Sequence, residues 1–196
     1  MADTLVLRSP LHSFTEQFAA QPESVTITEE PFTAMADLWV NPAGPASAGV
    51  TAVIGAELPT VSGTMVAGKD ATAIWFGPEE WLVTTRSRSG VELESALQAA
   101  VCPYGGAATD VSAQRTSIRL SGTNARRVLS KGSSLDLHPS IYRNGTAQQT
   151  MLGQAAVVII ALDDTGTDYR ILVRASFARY LAHWLLDASS EFRPNL

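Results

Sequence analysis

The clearest hydrophobic pattern in the chain lies near its end. Phe177, Tyr180, Leu181, Trp184, Leu185 and Ala188 fall at i, i+3, i+4, i+7, i+8 and i+11, which is one face of a helix. This predicts an amphipathic helix over residues 176–189, with Ser176 as its N-cap. A second broad apolar stripe (Val91, Leu93, Leu97, Ala100, Val101) predicts a helix over Gly90–Val101, stopped by Pro103. Residues 122–130 predict a short helix with Ala125, Val128 and Leu129 inward and Arg126 and Arg127 outward. Near the start, Pro10 and Pro22 bracket a helical turn at residues 12–20, with Phe14 and Phe18 four apart on one side.

Between these helices the pattern changes to short β-type runs. Residues 71–76 and 81–85 are joined by Gly77-Pro78-Glu79-Glu80, where Pro presets a turn, so they predict a hairpin. Residues 107–111 and 116–121 predict strands ahead of the 122–130 helix. Residues 155–162 and 169–174, joined by the turn at 163–168, predict strands ahead of the last helix. Further strands are expected at 25–28, 34–40 and 51–55, with a loop at 41–49. Strand, turn, strand, helix thus recurs three times. The expected class is α+β, a mostly antiparallel sheet with helices on one face. Residues 1–24 read as an N-terminal arm. Residues 25–196 read as a single domain of two pseudo-repeated lobes, about 25–105 and 106–196.

Composition narrows the class without naming a function. The 196 residues are 45% hydrophobic and 17% charged, which excludes a disordered chain. The net charge of −5 is unevenly spread. Residues 1–100 carry four Lys/Arg against twelve Asp/Glu, a balance of −8. Residues 101–196 carry ten against seven, a balance of +3. No basic run marks a nucleic-acid surface; the densest cluster is Arg126, Arg127 and Lys131. Cys102 is the one cysteine, so no disulfide framework can form within the chain, and a reducing cytoplasm is the expected location. No signal peptide or membrane span is expected.

Catalytic constellations are missing from the pattern. His12, His138 and His183 have no His or Cys at metal-ligand spacing. The pairs Glu29-Glu30, Glu79-Glu80 and Asp163-Asp164 sit at turns or strand ends, where solvated carboxylates are expected. Nucleophile-elbow, P-loop and dinucleotide-binding glycine signatures do not occur. Trp39, Trp75, Trp81 and Trp184 leave open either core packing or a ring-binding pocket. From the residues alone, the chain is an α+β domain that binds something.

Two passages carry a resemblance. One is Trp75-x-Gly77-Pro78-x-Glu80-Trp81-Leu82. The other runs from Asp110 to Ser140 with Lys131-Gly132-x-x-Leu135-Asp136-Leu137, continues at Leu152-Gly153, and ends with Leu172-Val173-Arg174-x-Ser176-Phe177 before the last helix. Together they resemble the gamma-subunit family of heterotetrameric sarcosine oxidases, over about residues 75–192. That family is in turn similar to the folate-binding lobe of aminomethyltransferases. Where aminomethyltransferases carry an essential acid after the Leu152-Gly153 turn, this chain has the apolar run 155–160. The resemblance therefore implies the fold and no catalytic, cofactor-binding or metal residue in this chain. It implies a non-catalytic structural subunit of a complex that oxidatively demethylates sarcosine to glycine with hydrogen peroxide. The one-carbon unit would pass to tetrahydrofolate or leave as formaldehyde. The alpha, beta and delta subunits would be the partners, and FAD, FMN, NAD and zinc would belong to them. Arg126, Arg127, Lys131, Arg174 and Arg179 are the expected partner-contact residues, because Arg is favoured at interfaces. The alternative is a stand-alone folate or small-molecule binding module of the same fold.

Overall fold

The computed structural model describes residues 7–193. The strands form two five-stranded sheets, and every ladder is antiparallel. The first sheet holds β2 (Ala34–Trp39), β3 (Met65–Ala67), β4 (Thr72–Gly77), β5 (Glu80–Thr85) and β6 (Ala107–Asp110) in the order β3-β4-β5-β2-β6. The second holds β1 (Thr26–Glu30), β7 (Arg115–Ser121), β8 (Ala147–Leu152), β9 (Ala155–Ala161) and β10 (Asp168–Arg174) in the order β8-β9-β10-β7-β1.

The two orders are the same pattern used twice. In the first lobe, β2 leads through helix α2 (Ser47–Ile54) to the meander β3-β4-β5 and then to α3 (Gly90–Val101). In the second, β7 leads through α4 (Ala125–Ser130) to β8-β9-β10 and then to α5 (Ala175–Ala188). The edge strands are exchanged. β1 opens the chain but pairs with β7 of the second lobe, and β6 pairs with β2 of the first. A cut between residues 105 and 106 therefore does not separate the two sheets. The expected unit of residues 107–130 is likewise not a hairpin, since β6 and β7 lie in different sheets.

Three apolar layers hold these elements together. Trp81, Val83, Leu38 and Ala73 pack one sheet on Val50, Ile54, Leu93 and Leu97 of α2 and α3. Ile118, Ile159, Ile171 and Val173 pack the other on Val128, Leu129, Leu181 and Leu185 of α4 and α5. The remaining faces of the two sheets meet through Met35, Ile74, Leu82, Val158, Ile160 and Leu172. Both faces of β9 are thus covered, which accounts for its unbroken apolar run. Leu11, Phe14 and Phe18 of the N-terminal segment, which contains α1 (Thr15–Ala19), are buried in the α5-side layer.

Two elements differ from the sequence expectation. Residues 51–55, expected as a strand, form the last turn of α2 and its Gly55 cap. Val50 and Ile54 lie one turn apart and are buried, and Gly55 at φ +82° ends the helix in the left-handed conformation that glycine tolerates. A β-carbon at Gly55 would also stand 2.7 Å from the backbone nitrogen of Lys69. Helix α5 begins at Ala175 rather than after a Ser176 cap. Arg174 is still paired with Arg115 in the sheet, so the strand runs directly into the helix and no side chain caps it.

Candidate functional site

Polar side chains line depressions at both ends of the apolar layer shared by the two sheets. At one end Glu30, Ser117 and Arg170 project from β1, β7 and β10 towards the facing sheet. Glu30 lies opposite Ser117 in the ladder, and Ser117 opposite Leu172. Arg170 donates from Nε to Glu30 Oε2 at 2.5 Å and from its terminal nitrogen to Oε1 at 2.8 Å, a two-pronged pair that crosses β7. The Ser117 hydroxyl donates to the same carboxylate at 2.7 Å. Burial would raise the Glu30 carboxyl, but the Arg170 and Ser117 hydrogen bonds and the positive fields of Arg170 and Arg86 override it and hold it below its ordinary value. The cleft has a volume of about 330 Å³, and Lys69, Asp70, Thr72, Thr84 and Arg86 line it from the other sheet.

At the opposite end, Arg115 and Arg174 stand directly across from each other in the β7–β10 ladder. Asp37 and Glu80 share the depression with them. None of the four makes an ion pair among the described residues. Burial lowers the affinity of Arg115 for its proton, and Arg174 adds to the effect. Burial raises the Glu80 carboxyl, with Asp37 adding to it. Arg115 also lies 5.5 Å over the Phe76 ring.

The expected partner-contact residues do not form one patch. Lys131 pairs with Glu191 at 2.9 Å and donates to the Ala188 carbonyl at the end of α5. Arg127 and Lys131 both lie 5.0 Å from the Phe192 ring. These two cations close the end of the described chain onto α4. Arg126 stands near the Tyr169 hydroxyl, where its positive field opposes the effect of burial, which pushes that phenol up to about 12. Arg174 and Arg179 are exposed at the other end of α5. Helix α5, fourteen residues or about 20 Å long, has Arg174 and Arg179 at its start and the Lys131 contact to Ala188 at its end.

The tryptophans are dispersed as well. Trp81 is buried in the α2–α3 layer, with its ring N–H donated to the Pro59 carbonyl at 2.8 Å, and Trp75 is its cross-strand neighbour. Trp184 packs in the α5 layer, beyond both sheets, against the backbone at Gly132 and Gly153. Trp39 is half exposed, with its ring N–H directed at Asp37. They do not gather into a ring-binding pocket. His183 packs edge-on against Phe14, and His138 bonds to Ser140. Among the described residues, no three His, Cys, Asp or Glu side chains converge as a metal site.

Sequence reasoning missed the Glu30–Arg170 pair. The Glu29-Glu30 carboxylates were expected to be solvated, yet Glu29 accepts the Ser9 and Thr116 hydroxyls and Glu30 is tied to Arg170. The available signal was Arg170 itself, a charge inside the otherwise apolar run Tyr169–Val173.

Two facing antiparallel sheets, each backed by helices, make an α+β domain whose fold is shared with an aminomethyltransferase. The aminomethyltransferase T of the glycine cleavage system from Bartonella henselae superposes with a TM-score of 0.64 over 92% of this chain and 57% of that one, at 11% identity. More narrowly, the chain belongs to the sarcosine oxidase gamma subunit family, whose model matches residues 40–191. The sarcosine oxidase gamma subunit of Corynebacterium sp. strain U-96 is 34% identical over 174 residues, 88% of this chain and 83% of that protein. The corresponding subunit from strain P-1 is 33% identical over 96% of this chain and 93% of its own length. A chain of the heterotetrameric sarcosine oxidase from Corynebacterium sp. U-96, solved with pyrrole 2-carboxylate, superposes with a TM-score of 0.87 at 32% identity. The match spans 98% of this chain and 99% of that one.

Proposed function

We propose that this chain is a non-catalytic structural subunit of a heterotetrameric sarcosine oxidase, packed against alpha, beta and delta subunits. The observation that carries the reading is the near end-to-end match, in fold and sequence, to a chain of such an oxidase. The side-chain chemistry supports it. Glu30, the acid turned into the cleft between the sheets, is engaged in a structural pair with Arg170 and Ser117. Where aminomethyltransferases place an essential acid, β9 carries apolar side chains covered on both faces.

In this reading the FAD, FMN, NAD and zinc of the complex are carried by the other subunits. This chain contributes a rigid surface to them. Arg174 and Arg179, exposed and free of ion pairs among the described residues, are the better contact candidates of the five. Arg127 and Lys131 already hold the chain's own end. The test is co-expression of the tagged chain with the other three subunits. A complex of fixed stoichiometry that oxidises sarcosine supports the reading, and a chain that elutes alone overturns it.

A further inference from the structure

A sheet edge is a row of unpaired backbone N–H and C=O groups, which proteins blunt with charge, proline, brevity or cover. Three of the four edges here are blunted. β3 is three residues long. β1 carries Glu29 and Glu30, is followed by Pro31 and has α1 beside it. β6 gives its Ala108 carbonyl to Gln98 and its Asp110 N–H to Glu94, both from α3. β8 is different. Its residues Ala147–Leu152 include no charge and no proline, and its ladder to β9 runs without a bulge.

Along an antiparallel strand, successive residues bond alternately to one side and the other. Ala147 donates its N–H away from β9, to the Gly63 carbonyl at 2.9 Å. Gln149 and Met151 follow in the same phase, so their N–H and C=O groups also point off the sheet. No backbone group meets them there among the described residues. The Thr150 hydroxyl, 3.5 Å from the Met151 carbonyl, is the one side-chain contact. Met151 is 49% exposed. Past Leu152 the Tyr180 hydroxyl accepts the Gln154 N–H at 3.0 Å, and its ring stands edge-on to the exposed Phe177.

A second copy of the chain does not fit this edge. Residues 63–65 already lie beside residues 145–147, through the Thr64–Thr146 bridge and the Met65 N–H bond to the Gly145 carbonyl. In a two-fold antiparallel pair centred on Thr150, Gly153 and Gln154 of the copy would need that same place. What fits is a short extended segment of a different chain, matching residues 148–152. With no charge on β8 to answer one, the segment is uncharged.

We propose that an uncharged extended segment of another oxidase subunit adds to β8 as a sixth strand, bonded to the backbone of Gln149 and Met151 with an apolar side chain against Met151. The inference rests on the subunit reading above. In strand addition the main-chain bonds give affinity and the alternate side chains give specificity.

Amide hydrogen exchange reads the edge without a mutation. In the isolated chain the Gln149 and Met151 amides should exchange fast, while those of Gln148 and Thr150, turned to β9, are protected. In the assembled complex all four should be protected. Two variants complete the test. Gln149→Pro removes an N–H that β9 does not use, and Met151→Lys places a charge on the edge. Each is unfolded in urea and titrated against the remaining subunits produced without this chain. Urea midpoints near wild type are expected, with affinity lowered about tenfold or more. Gln149 and Met151 amides that exchange as fast in the complex as in the isolated chain, or unchanged affinity in both variants, overturn the strand addition and leave the subunit reading intact. Protection that appears in the isolated chain as its concentration rises overturns the occupant, because a second copy would then be pairing. A wild-type chain that does not assemble overturns both readings.

Discussion

Replacing Glu30 by Gln removes the charge that joins β1 to β10 across β7. Three hydrogen bonds to a carboxylate, at 2.5, 2.8 and 2.7 Å, become bonds to a neutral amide or are lost. The side chains of Arg170 and Glu30 are 30% and 11% exposed. Breaking a fully buried pair costs about 3–5 kcal/mol, and an exposed pair about 0–1. Arg170 can recover some water through its exposed edge, so the cost should fall between, at about 2 kcal/mol. With a urea slope of about 3 kcal/mol/M for a chain of this size, the midpoint should drop by about 0.7 M at pH 7. The Arg170→Met variant completes a double-mutant cycle, which should return a coupling of about 1.5 kcal/mol. The pH dependence follows from the carboxyl's lowered value in the folded chain, set against its ordinary 4.5. A group lowered on folding stabilises fully above its unfolded value, and that contribution disappears as pH falls through the folded value. The gap between wild type and Glu30→Gln should therefore be constant from pH 6 to 8 and close on acidification. A cost under about 0.5 kcal/mol would show that the pair behaves as a surface contact, and a gap that widens in acid would show that folding raises the carboxyl instead of lowering it.

Other perturbations probe the remaining layers. Leu172→Ala opens a cavity where the two sheets meet and should cost about 3 kcal/mol in urea unfolding. Gly132→Ala places a β-carbon 2.4 Å from the Trp184 ring and 3.0 Å from the Gly153 nitrogen. It should cost about 1–3 kcal/mol and alter the environment of Trp184, read by near-UV circular dichroism. Arg174→Gln relieves the cross-strand repulsion with Arg115 and should hold or raise stability by about 0.5 kcal/mol. A loss above 1 kcal/mol would mean that the charges at that end of the sheets hold them together.

Helix α3 and the hairpin β4–β5 were legible in the sequence because local signals agreed. The apolar stripe and the Pro103 stop marked α3, which the structure opens with a Ser89–Glu92 capping box, and a Gly-Pro turn marked the hairpin. Strand β8 was not legible. Its residues Ala147–Leu152 include Gln148, Gln149 and Thr150, since it is an edge strand with little to bury. The exchange of β1 and β6 was hidden for a different reason. Alternation tells which face of a strand is buried and not which sheet the strand joins, and each strand satisfies its pattern in either sheet. The basic cluster Arg126, Arg127 and Lys131 looked like a surface in sequence because its acceptors, Glu191 and the Ala188 carbonyl, lie about sixty residues away.

The measurement that bears most directly on the account is co-purification of the tagged chain with the other subunits, followed by the visible spectrum and a peroxide assay with sarcosine. The account predicts a yellow complex of fixed stoichiometry that makes peroxide from sarcosine and does not assemble when this chain is left out. A colourless 20.8 kDa protein eluting alone would contradict it.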